Sequence, residues 1–263
     1  MPEGHANICG MRIRYRVSPR DETKPPLLIC NGIGQSLDEL KPLVSPLSRQ
    51  VITFDTAGTG GSEVPFVPAT VGKHCRIAIG LLDYLGYEQV DVMGISWGGG
   101  PAQQLARSYP ERCRKLILAV TCAGGITYIP GSVRVLGEML FPTRHLSKRR
   151  RRKVLPMIFG GDARHNPSVI SGLLGASKKP SLYGYYSQML VARTWTSIHW
   201  LHRLKQPTLV ISGREDPLIP PINQKLLACL IPNARLQSYD CGHLVLSTRR
   251  DQVNSDIEKF LDH

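Results

Sequence analysis

Three residues far apart in the chain, Ser96, Asp216 and His243, have the types and the order needed for hydrolysis by a serine nucleophile. A serine hydroxyl attacks a carbonyl only when a base within hydrogen-bond reach takes its proton and a carboxylate orients that base. Ser96 lies in Gly94-Ile95-Ser96-Trp97-Gly98, a G-x-S-x-G pattern. That is the nucleophile elbow, a strand turning so sharply into a helix that only small residues fit beside the serine. Asp216 follows the apolar run TLVIS in Gly213-Arg-Glu-Asp216, and His243 follows RLQSY in Asp240-Cys-Gly-His243. Glu215 and Asp240 are neighbouring carboxylates that compete for the acid's role. The order serine, acid, histidine is that of the α/β-hydrolases, while chymotrypsin-like and subtilisin-like enzymes use other orders. Two backbone N–H groups, of Trp97 after the nucleophile and of Ile33 in the loop Asn31-Gly-Ile-Gly34, are the candidates for an oxyanion hole. This chemistry needs no metal and no other cofactor.

The elements that must position these residues follow from hydrophobic periodicity. Gln89 to Met93 reads as a buried strand entering the elbow, and Pro101 to Tyr109 as the helix leaving it, closed by Pro110. Met11 to Val17 alternates apolar residues with arginines, the pattern of a half-buried strand pairing with Ala6 to Cys9 across Gly10. Leu27 to Asn31, Val51 to Phe54, Leu116 to Val120 and Thr208 to Ser212 are short apolar strands, and Arg235 to Tyr239 is the last strand. Helices are expected over Val71 to Leu85, Ile222 to Leu230 and Asp251 to Leu261. Repeated βαβ alternation predicts an α/β fold, a mostly parallel sheet with helices on both faces, whose loops at the strands' carboxyl ends bring Ser96, Asp216 and His243 into one crevice.

Residues 124–204 break this rhythm with prolines, a basic run (Arg144 to Lys153) and aromatic stretches, without a clear central strand. They read as a mainly helical cap inserted between core segments 1–123 and 205–263. Ile33, Trp97, Trp195 and Trp200 are the candidate neighbours of a bound acyl chain. His199 and His202, three apart on an expected helix, read as structural, since no carboxylate or cysteine completes a metal set. Cys30 and Cys241 read as small buried fillers.

Composition narrows the class. Hydrophobic residues at 42% and charged residues at 20% are those of a globular chain, and no apolar run approaches the roughly 20 residues of a spanning helix. The N-terminal stretch lacks the apolar core of a secretory signal, and the seven cysteines have irregular spacings, which points to a cytoplasmic protein with free thiols. The net charge of +13 is concentrated partly in the basic run, which reads as a solvated face or as attraction to an anionic surface. No stacking aromatics interleave with those cations, so no nucleic-acid partner is expected.

The segments PPLLICNGIG, FDTAGTGGS, GISWGGGPAQQLARSYPERCRKLILA, WTSIHWLHRLKQPTLVISGREDPLIP and IPNARLQSYDCGHL cover well over half the chain. Together they resemble the intracellular medium-chain-length poly(3-hydroxyalkanoate) depolymerases, a branch of the α/β-hydrolases. The resemblance implies ester hydrolysis of a stored polyester to 3-hydroxy acids or oligomers, with Ser96, Asp216 and His243 as the triad and association with storage granules. The arginine run and much of Ile126 to Lys179 depart from that family's pattern. Two other readings are a carboxylesterase or carbon-carbon bond hydrolase acting on small soluble substrates, and a non-catalytic hydrolase-fold protein that binds a ligand or coats a granule.

Overall fold

The computed structural model describes residues 3–142, 147–166, 168–169 and 181–263. They form an eight-stranded sheet of β1 (Glu3–Ile8), β2 (Met11–Val17), β3 (Leu27–Cys30), β4 (Val51–Phe54), β5 (Val90–Ile95), β6 (Cys113–Ala119), β7 (Thr208–Gly213) and β8 (Ala234–Tyr239), in the order β1-β2-β4-β3-β5-β6-β7-β8. β1, β2 and β4 pair antiparallel and every other pairing is parallel. The expected mostly parallel α/β sheet is therefore present.

Helices cover both faces. On one face, α2 (Val71–Leu85), α3 (Gly99–Ser108) and α8 (Pro221–Leu230) bury Ile77, Leu81, Leu105 and Leu227 against Val92, Leu118 and Val210. On the other, α1 (Lys41–Val44), α9 (Val245–Thr248) and α10 (Arg250–Asp262) bury Leu43, Val245, Val253 and Ile257 against Met93, Ile117 and Ile211. Strands buried on both faces have little need for polar alternation, so β3 and β4 read as unbroken apolar runs. The ends of α2 are written locally: the Thr70 hydroxyl accepts the Lys73 N–H, and Gly86 takes the left-handed turn that closes the helix.

Between β6 and β7 the described residues contain helices and no strand: α4 (Val133–Leu140), α5 (Lys148–Phe159), α6 (Asp162–His165) and α7 (Leu182–Thr194). Arg144, His145 and Leu146 of the basic run, and residues 143, 167 and 170–179 of the divergent stretch Ile126 to Lys179, lie outside the described residues. Among the described residues, no helix is long and apolar enough to cross a membrane.

Three expectations need correction. β6 begins at Cys113 rather than Leu116, because the charged pair inside it is held by distant partners: Arg114 bonds Asp91 and Lys115 donates to the Phe260 carbonyl. β5 runs to Ile95, and Ser96 to Gly98 form a turn of 3-10 helix before α3 starts at Gly99. The stretch Trp195 to His202 is not a helix but a turn followed by 3-10 residues Leu201–Arg203, with His199 and His202 both exposed.

Candidate active site

Ser96 stands at the carboxyl end of β5 with φ of 52°, a left-handed conformation that costs a non-glycine residue energy and is held by its surroundings. Those surroundings explain the spacing of the motif. A Cβ on Gly94 would sit 2.6 Å from the Gly98 carbonyl oxygen, and one on Gly98 would collide with the Cys30 carbonyl at the end of β3. The Thr121 hydroxyl donates to the Ser96 carbonyl at 2.6 Å, fixing the turn from the neighbouring strand's end.

The candidate acid and base arrive on the loops after β7 and β8. His243 Nε2 lies 3.2 Å from Ser96 Oγ, and His243 Nδ1 lies 2.6 Å from Asp216 Oδ2. The other Asp216 oxygen accepts the N–H groups of Leu218 and Ile219, both at 2.9 Å, so the buried carboxylate is aimed before any substrate binds. Geometry separates the three carboxylates that the sequence leaves in competition. Asp240 is exposed and paired with Arg214, Glu215 is exposed, and Asp216 alone of the three faces His243.

The histidine loop is clamped by residues that the sequence reading does not single out. The Phe159 carbonyl accepts the His243 N–H at 2.7 Å, and the Phe159 ring stacks along the imidazole, 6.1 Å between centroids. Gly160 and Gly161 follow with φ of 62° and 46° and touch the backbone of residues 215 and 241–242, leaving no space for a side chain. The glycine pair after the apolar end of α5, Val154 to Phe159, is the signal in the sequence that marks this contact.

Ile33 and Trp97 flank Ser96 in the wall of the larger cavity. The loop around Ile33 is tied on both sides: Gly32 N–H donates to Gln35 Oε1 at 3.2 Å and Gly34 N–H donates to Gln188 Oε1 at 2.8 Å. Gln188, on α7, also donates to Thr59 and accepts the Trp97 indole N–H on its carbonyl. One buried glutamine thus joins the glycine loop, the elbow and the inserted segment, and nothing in its sequence neighbourhood announces it. The Trp97 ring packs edge-on against His74, whose burial lowers its pKa to about 4 and keeps it neutral.

Two cavities meet at Ser96 and Ile33. The larger, about 370 Å³, is bounded mainly by apolar side chains such as Tyr128, Leu136, Met189, Trp195 and Leu218. The smaller, about 200 Å³, contains His243, Gln35, Glu39, Arg151 and Ser247 in its walls. Trp195 lines the larger cavity as expected, its indole donating to Gln104. Trp200 does not reach it. The turn directs Trp200 into the helix-side core against Trp195, 6.0 Å between centroids, because residues 195 and 200 share no helical face. Cys30 and Cys241 are buried, and burial pushes their thiols up to about 12 and about 11, the state of inert fillers rather than nucleophiles.

Comparison with known proteins agrees with this architecture. A family model described as alpha/beta hydrolase fold matches residues 25–139 and 176–249. The chain is 45% identical over 251 residues to a poly(3-hydroxyalkanoate) depolymerase of Ectopseudomonas oleovorans, covering 95% of this chain and 88% of the relative. It is 31% identical to a 2-hydroxymuconate semialdehyde hydrolase of Pseudomonas putida, covering 99% of this chain and 95% of the relative. Among solved structures, the enol-lactonase of Burkholderia xenovorans LB400 superposes with a TM-score of 0.85 at 26% identity, covering 99% of this chain and 100% of that one.

Proposed function

The chain belongs to the alpha/beta hydrolase fold family and, within it, to the poly(3-hydroxyalkanoate) depolymerase family, and on that premise we propose that it cleaves the ester bonds of a medium-chain poly(3-hydroxyalkanoate). The observation that carries this reading is the chain of contacts from Asp216 through His243 to Ser96 at the mouth of an apolar cavity of about 370 Å³. His243 Nε2 takes the Ser96 proton as Oγ attacks the ester carbonyl, and the N–H groups of Ile33 and Trp97 receive the charge on the carbonyl oxygen. The tetrahedral intermediate collapses to an acyl-serine as His243 returns the proton to the leaving alkoxide. A water, deprotonated by the same imidazole, then releases the 3-hydroxy acid or oligomer and restores Ser96. Asp216 holds the imidazole in the tautomer this requires and stabilises its charged form.

Residues 124–204 serve in this reading as the cap over the acyl cavity, supplying Met189 and Trp195 to its wall. Ile126, Phe141, Leu182 and Leu190 are exposed on this segment, and Phe66 is 99% exposed beside it, tied by the Tyr183 hydroxyl to the Phe66 carbonyl. An apolar rim of that kind, with the cations of α5, suits the surface of a storage granule.

The test is hydrolysis of an amorphous medium-chain poly(3-hydroxyalkanoate) suspension, with products identified by mass spectrometry. Wild type is expected to release 3-hydroxy acids, and Ser96→Ala to lose turnover on the order of a millionfold. Likeness to the semialdehyde hydrolase favours a second reading, cleavage of a small soluble ester or carbon-carbon bond. Retained cleavage of p-nitrophenyl esters without release from polymer would select it.

A further inference from the structure

We propose that the side-chain amide of Gln35 binds the carbonyl of the leaving 3-hydroxyacyl unit, so that the polyester is gripped at two consecutive carbonyls. This rests on the polyester-hydrolase reading and deepens it, naming the group that recognises the alcohol side of the bond.

An ester carbonyl at Ser96 has an acyl part and an alcohol part, and the departing alkoxide oxygen takes its proton from His243 Nε2. His243 lines the smaller cavity and not the larger. The alcohol part therefore leaves through the smaller cavity, and the larger, apolar cavity holds the acyl chain. In a 3-hydroxyacyl polyester the alcohol part carries the next carbonyl, with an oxygen and two carbons between one carbonyl carbon and the other. A simple alcohol lacks that acceptor, so a hydrogen-bond donor in the wall is what tells the two apart.

Gln35 supplies the donor. Its Oε1 accepts the Gly32 N–H at 3.2 Å, which fixes the orientation of the amide and turns the Nε2 hydrogens to the cavity that Gln35 lines. Among the described residues no acceptor meets Nε2. The amide also sits beside the nucleophile: a Cβ on Gly32 would stand 3.1 Å from Gln35 Oε1 and 3.8 Å from Ser96 Cβ. An oxygen and two carbons span the short distance from a reacting carbonyl to a group so placed. The other polar groups of this wall have different roles. His243 faces Ser96 and Asp216, Arg151 already has a partner, Glu39 accepts the Ser36 N–H, and Ser247 is exposed.

The experiment compares two substrates with the same medium-chain 3-hydroxyacyl group. One is the linear dimer as its methyl ester; in the other the acyl group is esterified to a secondary alkanol of equal length, without the second carbonyl. kcat/KM for the shared ester bond is measured in wild type, Gln35→Met and Gln35→Glu, with products identified by mass spectrometry. Gln35→Glu keeps an oxygen for the Gly32 N–H and removes the amide donor. The ratio of dimer to alkanol ester is expected to fall about fivefold from wild type in both variants. Disturbance of the glycine loop alone lowers both rates together and leaves the ratio unchanged. An unchanged ratio in both variants therefore overturns the proposal and leaves ester hydrolysis standing. Failure of wild type to cleave the dimer, alongside cleavage of the alkanol ester or of p-nitrophenyl esters, overturns the polyester reading and the Gln35 subsite with it.

Discussion

At the amino ends of its strands the sheet carries a buried knot of charge, and at their carboxyl ends it carries Ser96, Asp216 and His243. In the first region Arg49 is fully buried and bonds Glu258 at 2.9 Å and Asp262 at 2.6 Å, with Asp91 at 3.5 Å. Arg114 bonds the same Asp91 at 2.6 Å, and Lys115 donates to carbonyls at the end of α10. These charges are spent on one another and on helix ends, tying α10 to the sheet. In the second region the groups facing the cavities are few, the backbone at Ser96 is strained, and glycines bring loops into contact. Burial shifts pKa values at both ends, upward for Asp91 and for Glu39, so a displaced titration does not by itself mark a reactive site. Strain at Ser96 and close backbone contact between the loops distinguish the carboxyl edge.

That difference predicts opposite outcomes for mutation. Loss of Ser96 has the largest expected effect, and the next is Asp216→Asn, which leaves the shape intact but lets the imidazole settle in the wrong tautomer. A fall in kcat on the order of 10⁴ is expected, with thermal stability little changed. Asp240→Asn, on the exposed partner of Arg214, should leave the rate near that of wild type. A large loss from Asp240→Asn and none from Asp216→Asn would reverse the assignment of the acid.

At the opposite edge, Arg49→Met removes the cation around which Asp91, Glu258 and Asp262 gather. Breaking a buried pair from one side costs about 3–5 kcal/mol, and here the loss is expected toward the lower end, because Asp91 keeps Arg114 while Glu258 and Asp262 keep Lys24. Denaturant unfolding should show that loss, while kcat of the folded variant stays near wild type. A variant that keeps its stability and loses turnover would erase the contrast between the two edges.

How much of this was legible in the sequence follows the same division. Ser96 and Asp216 stand at the ends of short apolar strands, His243 follows the more polar RLQSY, and glycines mark the turns, so pattern alone brought them to one edge. The sheet and most helices were legible for the same reason: strands such as Val51 to Phe54 and helices such as Val71 to Leu85 carry their own periodicity and caps. Arg49 meets Glu258 across 209 residues, and Gln188 meets Gly34 across 154, contacts that no local pattern encodes. Trp200 joins the core and not the cavity wall because the turn between it and Trp195 sends the two rings to different surroundings, a backbone path that residue type alone does not encode.

The smallest expected effect lies where the contrast is least sharp, at Glu39, a displaced carboxyl on the rim of the reactive edge. Its carboxylate accepts the Ser36 N–H and its pKa is raised to about 7 by desolvation, the opposing pull of Arg151 notwithstanding. A carboxyl whose pKa is higher folded than unfolded destabilises the fold only when ionised. The penalty is absent below the unfolded value near 4.5, grows between 4.5 and 7, and is complete above 7. Glu39→Gln keeps the acceptor for Ser36 and removes the charge. The variant should match wild type in unfolding free energy near pH 4 and exceed it at pH 8 by about 2–3 kcal/mol. Equal stability at both pH values would place Glu39 in contact with water and return it to the ordinary carboxylates of the surface. A gain that grows between pH 4.5 and 7 and then levels off would show that the reactive edge tolerates a costly carboxylate.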